Sequence, residues 1–185
     1  MKKNNFSNWL LLNIYLTQAL LLMIALGLLW FQGRLTWDLF SWGNREPWVA
    51  GLMVGLGFVG LNVALTWFLP HKWLDDGGIN EALFYNRSVF HIGVIALLVS
   101  LAEELLFRGA IQYWLGVLGT SLLFTLIHFR YLRRWLMVTL LFLVSLGLGF
   151  ITDYYQSLLP AVIAHFTVDF ILGIFIRYRI LKKVE

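Results

Sequence analysis

The sequence predicts an all-α fold: a polytopic membrane helix bundle of about six transmembrane segments. Three observations carry that prediction. Hydrophobic residues make up 60% of the 185-residue chain and charged residues 13%, about half the ~25% charged share of a soluble domain. Most of the apolar residues fall in runs near the roughly 20 helical residues that cross a ~30 Å hydrocarbon core. Finally, the runs lack the period-two alternation of a membrane strand, and an open sheet edge has no place in lipid.

The first run, residues 9–31, follows Lys2 and Lys3. It has the order of a signal peptide but exceeds an h-region in length, and no small-residue cleavage site follows, so a retained span is expected. The second run, 48–69, contains "GLMVGLGFVG". Its Gly51 and Gly55 are spaced to let a neighbouring helix approach closely. The remaining runs are 89–107, a short fourth at 115–129, then 135–155 and 159–176. No internal repeat or low-complexity linker divides the chain. Residues 1–88 are expected to form N-terminal membrane helices and a cytoplasmic loop, and 89–185 a second membrane unit.

The net charge of +4 does not indicate nucleic acid, because the basic residues sit at the ends of apolar runs rather than on one soluble face. With both termini cytoplasmic, Lys2, Lys3, Lys72, Arg87, the arginines of "RYLRR" and the tail "RYRILKK" fall inside, leaving Arg34 and Arg45 outside. The positive-inside rule favours that orientation in a multi-pass cell-membrane protein. The absence of cysteine excludes disulfides, thiolate catalysis and cysteine-ligated zinc.

Against this apolar background the stretch "LAEELLFRGA" stands out. Each ionisable group at bilayer depth costs at least ~2.5–3.5 kcal/mol on insertion scales, so each is a candidate functional residue. The buried set is Glu103, Glu104, Arg108, His128, His165 and Asp169. Glu104 and Arg108, Phe124 and His128, and His165 and Asp169 are each four apart, and residues four apart share a helix face. Arg108 can therefore neutralise Glu104. Glu103, turned about 100° away at 3.6 residues per turn, has no partner on its own helix. A lone buried glutamate needs a proton, a histidine partner or a chemical role. His91 falls on another face and is expected to be structural or interfacial. Asp153, near the end of a run, is also expected to be interfacial.

The three motifs, E-E-x-x-x-R at Glu103, Glu104 and Arg108, F-x-x-x-H at Phe124 and His128, and H-x-x-x-D at His165 and Asp169, occur in that order on separate apolar runs. Over residues 89–173 this resembles the CPBP (Abi) family of CAAX proteases and bacteriocin-processing enzymes. The resemblance implies an intramembrane glutamate-dependent endopeptidase without a catalytic metal or other cofactor, and makes 89–185 its catalytic membrane core. It implies that Glu103 and His128 activate water, and that His165 with Asp169 stabilises the oxyanion. Glu104, Arg108 and Phe124 would support the site. Well-studied CAAX-processing members carry Asn where this chain has Asp169. The residue types suit peptide hydrolysis, which needs a base for water and donors for a developing alkoxide.

Other intramembrane protease chemistries lack their motifs: the sequence contains no H-E-x-x-H, no G-x-S-x-G and no G-x-G-D. The implied partners are the lipid bilayer and a peptide or membrane-protein substrate from a bacterial host. Prenylated substrates are those of the best-known relatives. Two other classes compete. A non-catalytic membrane scaffold or bacteriocin self-immunity protein would use the polar residues to lock helices. A proton-coupled transporter would use them as a relay, but would normally show repeats or discontinuous segments.

One geometric difficulty is legible in the sequence. In six straight traverses Glu103 lies about 22 Å from the cytoplasmic end of its span at 1.5 Å per residue, whereas His128 adjoins the cytoplasmic "RYLRR". Cooperation would require a bend near Arg108 and Gly109, a re-entrant piece between Gly109 and Thr120, or a tilted span.

Overall fold

The computed structural model describes residues 2–74 and 77–181. Lys182 and Lys183 of the basic tail lie outside the described residues. Helix α1 spans Lys2–Phe31, α2 Arg45–Phe68, and two short helices follow, α3 at His71–Leu74 and α4 at Ile79–Phe84. Helix α5 covers Val89–Glu104 and runs directly into a π-helical segment, Leu105–Ile111. Helix α6 occupies Gln112–Ile127, α7 Trp135–Tyr155 and α8 Leu159–Arg177. No strand occurs among the described residues.

Five helical stretches among the described residues are long and apolar enough to cross a membrane: Phe6–Phe31, Arg45–Phe68, Val89–Ile127, Trp135–Tyr155 and Leu159–Arg177. The third contains both the third and fourth apolar runs. It is not straight. Gly116 adopts φ 63° and ψ −179°, a combination essentially reserved for glycine because a Cβ would clash with the backbone. Phe107 and Phe124 are 17 residues apart, which in a continuous helix would separate them by about 25 Å. Their ring centroids instead lie 4.9 Å apart. The chain therefore bends back at Gly116 and lays the second half of α6 along the π segment. This break, one of the ways foreseen to bring His128 toward Glu103, turns six straight traverses into five helical stretches with a broken third.

Two kinds of contact hold the bundle. At the α2–α8 crossing the backbones nearly touch. A Cβ on Gly51 would lie 2.5 Å from the Pro160 carbonyl oxygen, and one on Gly55 would lie 2.8 Å from that of Ala164. Lipid supplies no hydrophobic drive between helices, so this close approach, with its dispersion contacts, is what holds α2 against α8. The anticipated small-residue packing is thus present. Around the π segment, Ala25 and Leu29 of α1 pack with Leu105, Leu106, Phe107, Ala110, Phe124 and Leu158 in a buried apolar cluster. That cluster fixes the level at which the charged residues of α5 enter the bundle.

Candidate active site

The site is built on the junction of α5 with the π segment. A π turn widens the helix and recurs at functional sites. Here the Gly109 and Ala110 carbonyl oxygens accept side-chain bonds from the segment that follows α1. Arg34 Nη1 donates to Gly109 O at 2.7 Å and Gln32 Nε2 to Ala110 O at 2.9 Å.

Glu104, the last residue of α5, is fully buried. Its Oε1 accepts from Arg108 Nη1 at 3.2 Å and from His165 Nδ1 at 2.7 Å. Arg108 is buried too. Its Nη2 donates to the hydroxyl and carbonyl oxygens of Ser145 on α7, at 2.8 and 3.1 Å. The guanidinium carbon lies 4.8 Å from the Phe124 ring centre, within cation–π range. Glu104 and Arg108 thus tie α5, α6, α7 and α8 together. Removing either charge would strand the other, at a cost of about 3–5 kcal/mol.

Glu103 is treated differently. Its Oε1 accepts a 3.1 Å bond from Gln18 Nε2 on α1. Among the described residues no cation pairs with it. The expectation that Glu103 lacks a partner on its own helix holds; its partner is a neutral amide from a different span.

His165 presents Nδ1 to Glu104, while its Nε2 lies 3.6 Å from Asp169 Oδ2, too far for a hydrogen bond. The Asp169 carboxylate is a third exposed, against 13% for the His165 side chain. The open side of the site is therefore at Asp169, and its closed side at Glu104. His128 follows the last residue of α6. Its Nδ1 lies 2.7 Å from the Phe124 carbonyl, so in a neutral ring Nδ1–H donates and Nε2 is the acceptor. The His128 ring centre is 4.6 Å from that of Phe124. No hydrogen bond joins His128 to Glu103 among the described residues. The structure joins Glu104, Arg108, His165 and Asp169 by direct contacts, and His128 through the Phe124 ring.

Three polar residues of this neighbourhood have no counterpart in the sequence motifs. Among the described residues, Gln18 is the hydrogen-bond partner of Glu103 and Ser145 that of Arg108 Nη2. Gln112, one turn past Arg108, donates to Gly149 O at 3.1 Å and to Asp153 Oδ1 at 2.6 Å. Gln112 and Asp153 line a cavity of about 190 Å³ with Arg34, Tyr113 and one face of Arg108. Glu103 and His165 are not among its lining residues. Asp153 is exposed at that end, as expected of an interfacial residue. His91 is structural: its Nε2 lies 2.7 Å from the Tyr15 hydroxyl.

The site thus combines, in an all-helical bundle, a buried glutamate pair, an arginine one turn on and a helix carrying His165 and Asp169. Residues 85–171 match the family model described as "Type II CAAX prenyl endopeptidase Rce1-like", so this segment is similar to that family, in line with the resemblance its motifs carry. The chain is also similar to "Uncharacterized protein YpbD" of Bacillus subtilis (strain 168), with 38% identity over 119 residues. That similarity covers 64% of this chain and 62% of the relative, so the match spans less than two thirds of the relative's length. No solved structure matches.

Proposed function

We propose that the protein is an intramembrane endopeptidase that hydrolyses a peptide bond of a membrane-associated peptide or protein, with water activated by Glu103 and His128 and no catalytic metal or other cofactor. One observation carries this reading. Of two adjacent buried glutamates, Glu104 is neutralised by Arg108 and His165, whereas Glu103 receives only an amide hydrogen bond. A carboxylate locked to a guanidinium is a poor proton acceptor. One held only by a neutral donor is not committed to a charged partner and is left available for proton transfer.

In the proposed reaction Glu103 takes a proton from water as the water oxygen adds to the scissile carbonyl carbon. His128 Nε2, free as an acceptor, orients that water or shares its proton. The carbonyl oxygen becomes an alkoxide that needs donors already aimed at it. His165 fits that task, since Glu104 fixes its Nδ1 side and its Nε2 faces the open side of the site. Collapse of the tetrahedral intermediate breaks the C–N bond, and Glu103 returns its proton to the leaving amine. Asp169, standing where the family's best-known members carry Asn, can hold His165 as a charged donor.

The substrate class is proposed from the family description: a peptide or protein tail at the membrane surface, with a prenylated C-terminal tail as the first probe. A multi-pass cell-membrane location with both termini cytoplasmic fits the distribution of basic residues. Trp73 stacks edge-on against Trp135, which brings the α2–α5 connection beside Arg133 and Arg134. Arg177 donates to the Arg87 carbonyl oxygen at that same end. Arg34 lies at the other end, on the π segment.

Comparative proteomics of membrane and secreted peptides from cells carrying wild-type or Glu103→Ala protein tests the proposal. A peptidase gives at least one precursor that accumulates uncut in the variant. Identical peptide sets and an intact phenotype would favour the scaffold or self-immunity alternative.

A further inference from the structure

The glutamine at the centre of α1 has no place in the motif set, lies outside the segment matched by the family model, and yet is the one hydrogen-bond partner of Glu103 among the described residues. We infer that Gln18 is a positioning residue for Glu103, and that the first span is consequently part of the catalytic unit. This inference rests on the peptidase reading and deepens it.

Gln18 is 5% exposed. Its Nε2 donates to Glu103 Oε1 at 3.1 Å, and its Oε1 is buried with no partner. A buried amide oxygen without a donor forfeits the hydrogen bonds it would make in water. An orphan of that kind calls for a compensating role. The chemistry of a general base supplies one. A base alternates between carboxylate and carboxylic acid. The carboxylate accepts hydrogen bonds, and the acid offers an O–H. An arginine or lysine partner would serve only the charged form. A glutamine serves both: Nε2 donates to the carboxylate, and a half-turn of the amide presents Oε1 to the protonated acid. The acceptor that is idle in the structure is the group that protonated Glu103 requires.

The packing makes α1 able to hold this contact. Ala25 and Leu29, two and three turns along from Gln18, are fully buried against the π segment. Gln32 and Arg34 beyond the helix end bond the Ala110 and Gly109 carbonyls. The charged groups around Glu103 are Glu104 next to it on α5, Arg108 on the π segment, and His165 and Asp169 on α8. Among the described residues none of them makes a hydrogen bond to Glu103, which leaves the amide as its one directional contact there.

The test uses full-length wild-type, Gln18→Met and Glu103→Gln proteins in lipid nanodiscs. Methionine keeps the length and apolar bulk of the side chain and removes the amide. Infrared difference spectra recorded across a pH titration follow the carboxyl stretch that disappears in Glu103→Gln. In Gln18→Met that band shifts in frequency and its midpoint moves by about half a pH unit or more, the size of a modest change in one carboxyl's surroundings. Cleavage of a fluorogenic peptide with a prenylated C-terminal tail falls roughly 10–10²-fold in kcat with little change in KM, as expected for a misplaced base. A band unchanged in frequency and midpoint would overturn the inference, whatever happens to stability. Normal cleavage by Glu103→Gln would overturn the role of Glu103 as base, and no cleavage by the wild type the peptidase reading, each leaving the spectroscopic test of the Gln18–Glu103 contact to stand by itself.

Discussion

The α2–α8 crossing and the α5–π junction are both close contacts inside the membrane, but they are made from opposite materials. At the crossing, Gly51 and Gly55 remove side chains so that two backbones meet. At the junction, Glu104, Arg108 and Ser145 insert charge and hydrogen bonds between four helices. The first contact needs nothing polar. The second is expensive to assemble in lipid and worth keeping only where charge is used. The contrast separates helix packing from chemistry, and substitutions in each region can break or sharpen it.

The largest structural effect is expected at Glu104. Replacement by Leu leaves Arg108 buried without its carboxylate and His165 without its anchor. A loss of about 3–5 kcal/mol follows for one broken buried pair, read as reduced accumulation in membranes and a lower melting temperature in detergent. Next comes Gly55→Ala, whose Cβ would meet Ala164 O and Thr167 Cβ at 2.8 Å. Overpacking of this kind costs about 1–3 kcal/mol. Gly57→Ala on the same helix, where a Cβ meets nothing within 4 Å, is its control and should be neutral or slightly stabilising. The same thermal-unfolding series distinguishes the two, and equal effects would mean that the α2–α8 contact is misdescribed.

Gly116→Ala probes the bend that brings α6 back. Its Cβ meets no atom, so the cost is backbone strain alone, about 1–3 kcal/mol. Activity should fall more than stability accounts for, because Phe124 and His128 depend on the bend for their position. The smallest effect is expected for Asp169→Asn. The Asp169 side chain is a third exposed and lies beyond hydrogen-bond distance of His165. An Asn amide can itself donate to an oxyanion, so turnover should stay within about tenfold of wild type, whereas Asp169→Leu, which can neither donate nor hold a charged imidazole, should lose far more.

Much of this was legible in the sequence, and the boundary has physical causes. Long apolar runs declare spans, because the bilayer sets their length. Charges within them stand out because lipid makes them costly, which is why Glu103, Glu104, Arg108, His165 and Asp169 were all visible. A break between Gly109 and Thr120 was among the legible options, but its residue was not, since Gly116 lies in a run with Gly109 and Gly119, and glycine in a membrane helix marks close packing as readily as a turn. The contact between His165 and Glu104 joins residues 61 apart. Only the α5–α8 crossing creates it, and the i,i+4 rule pointed to Asp169 instead. Gln18 was hidden because a single neutral amide stands out less in a span than a charge and carries no motif.

The central claim is that the two adjacent glutamates do different work, and the most direct measurement is turnover by purified Glu103→Gln and Glu104→Gln proteins on one fluorogenic peptide with a prenylated tail, normalised to folded protein. Glu103→Gln should remain folded at the wild-type level and lose about 10²–10⁴-fold in rate, the usual worth of a general base. Glu104→Gln should mainly lose folded protein, with the surviving fraction turning over closer to wild type. A Glu103→Gln protein that cleaves at the wild-type rate would contradict the account.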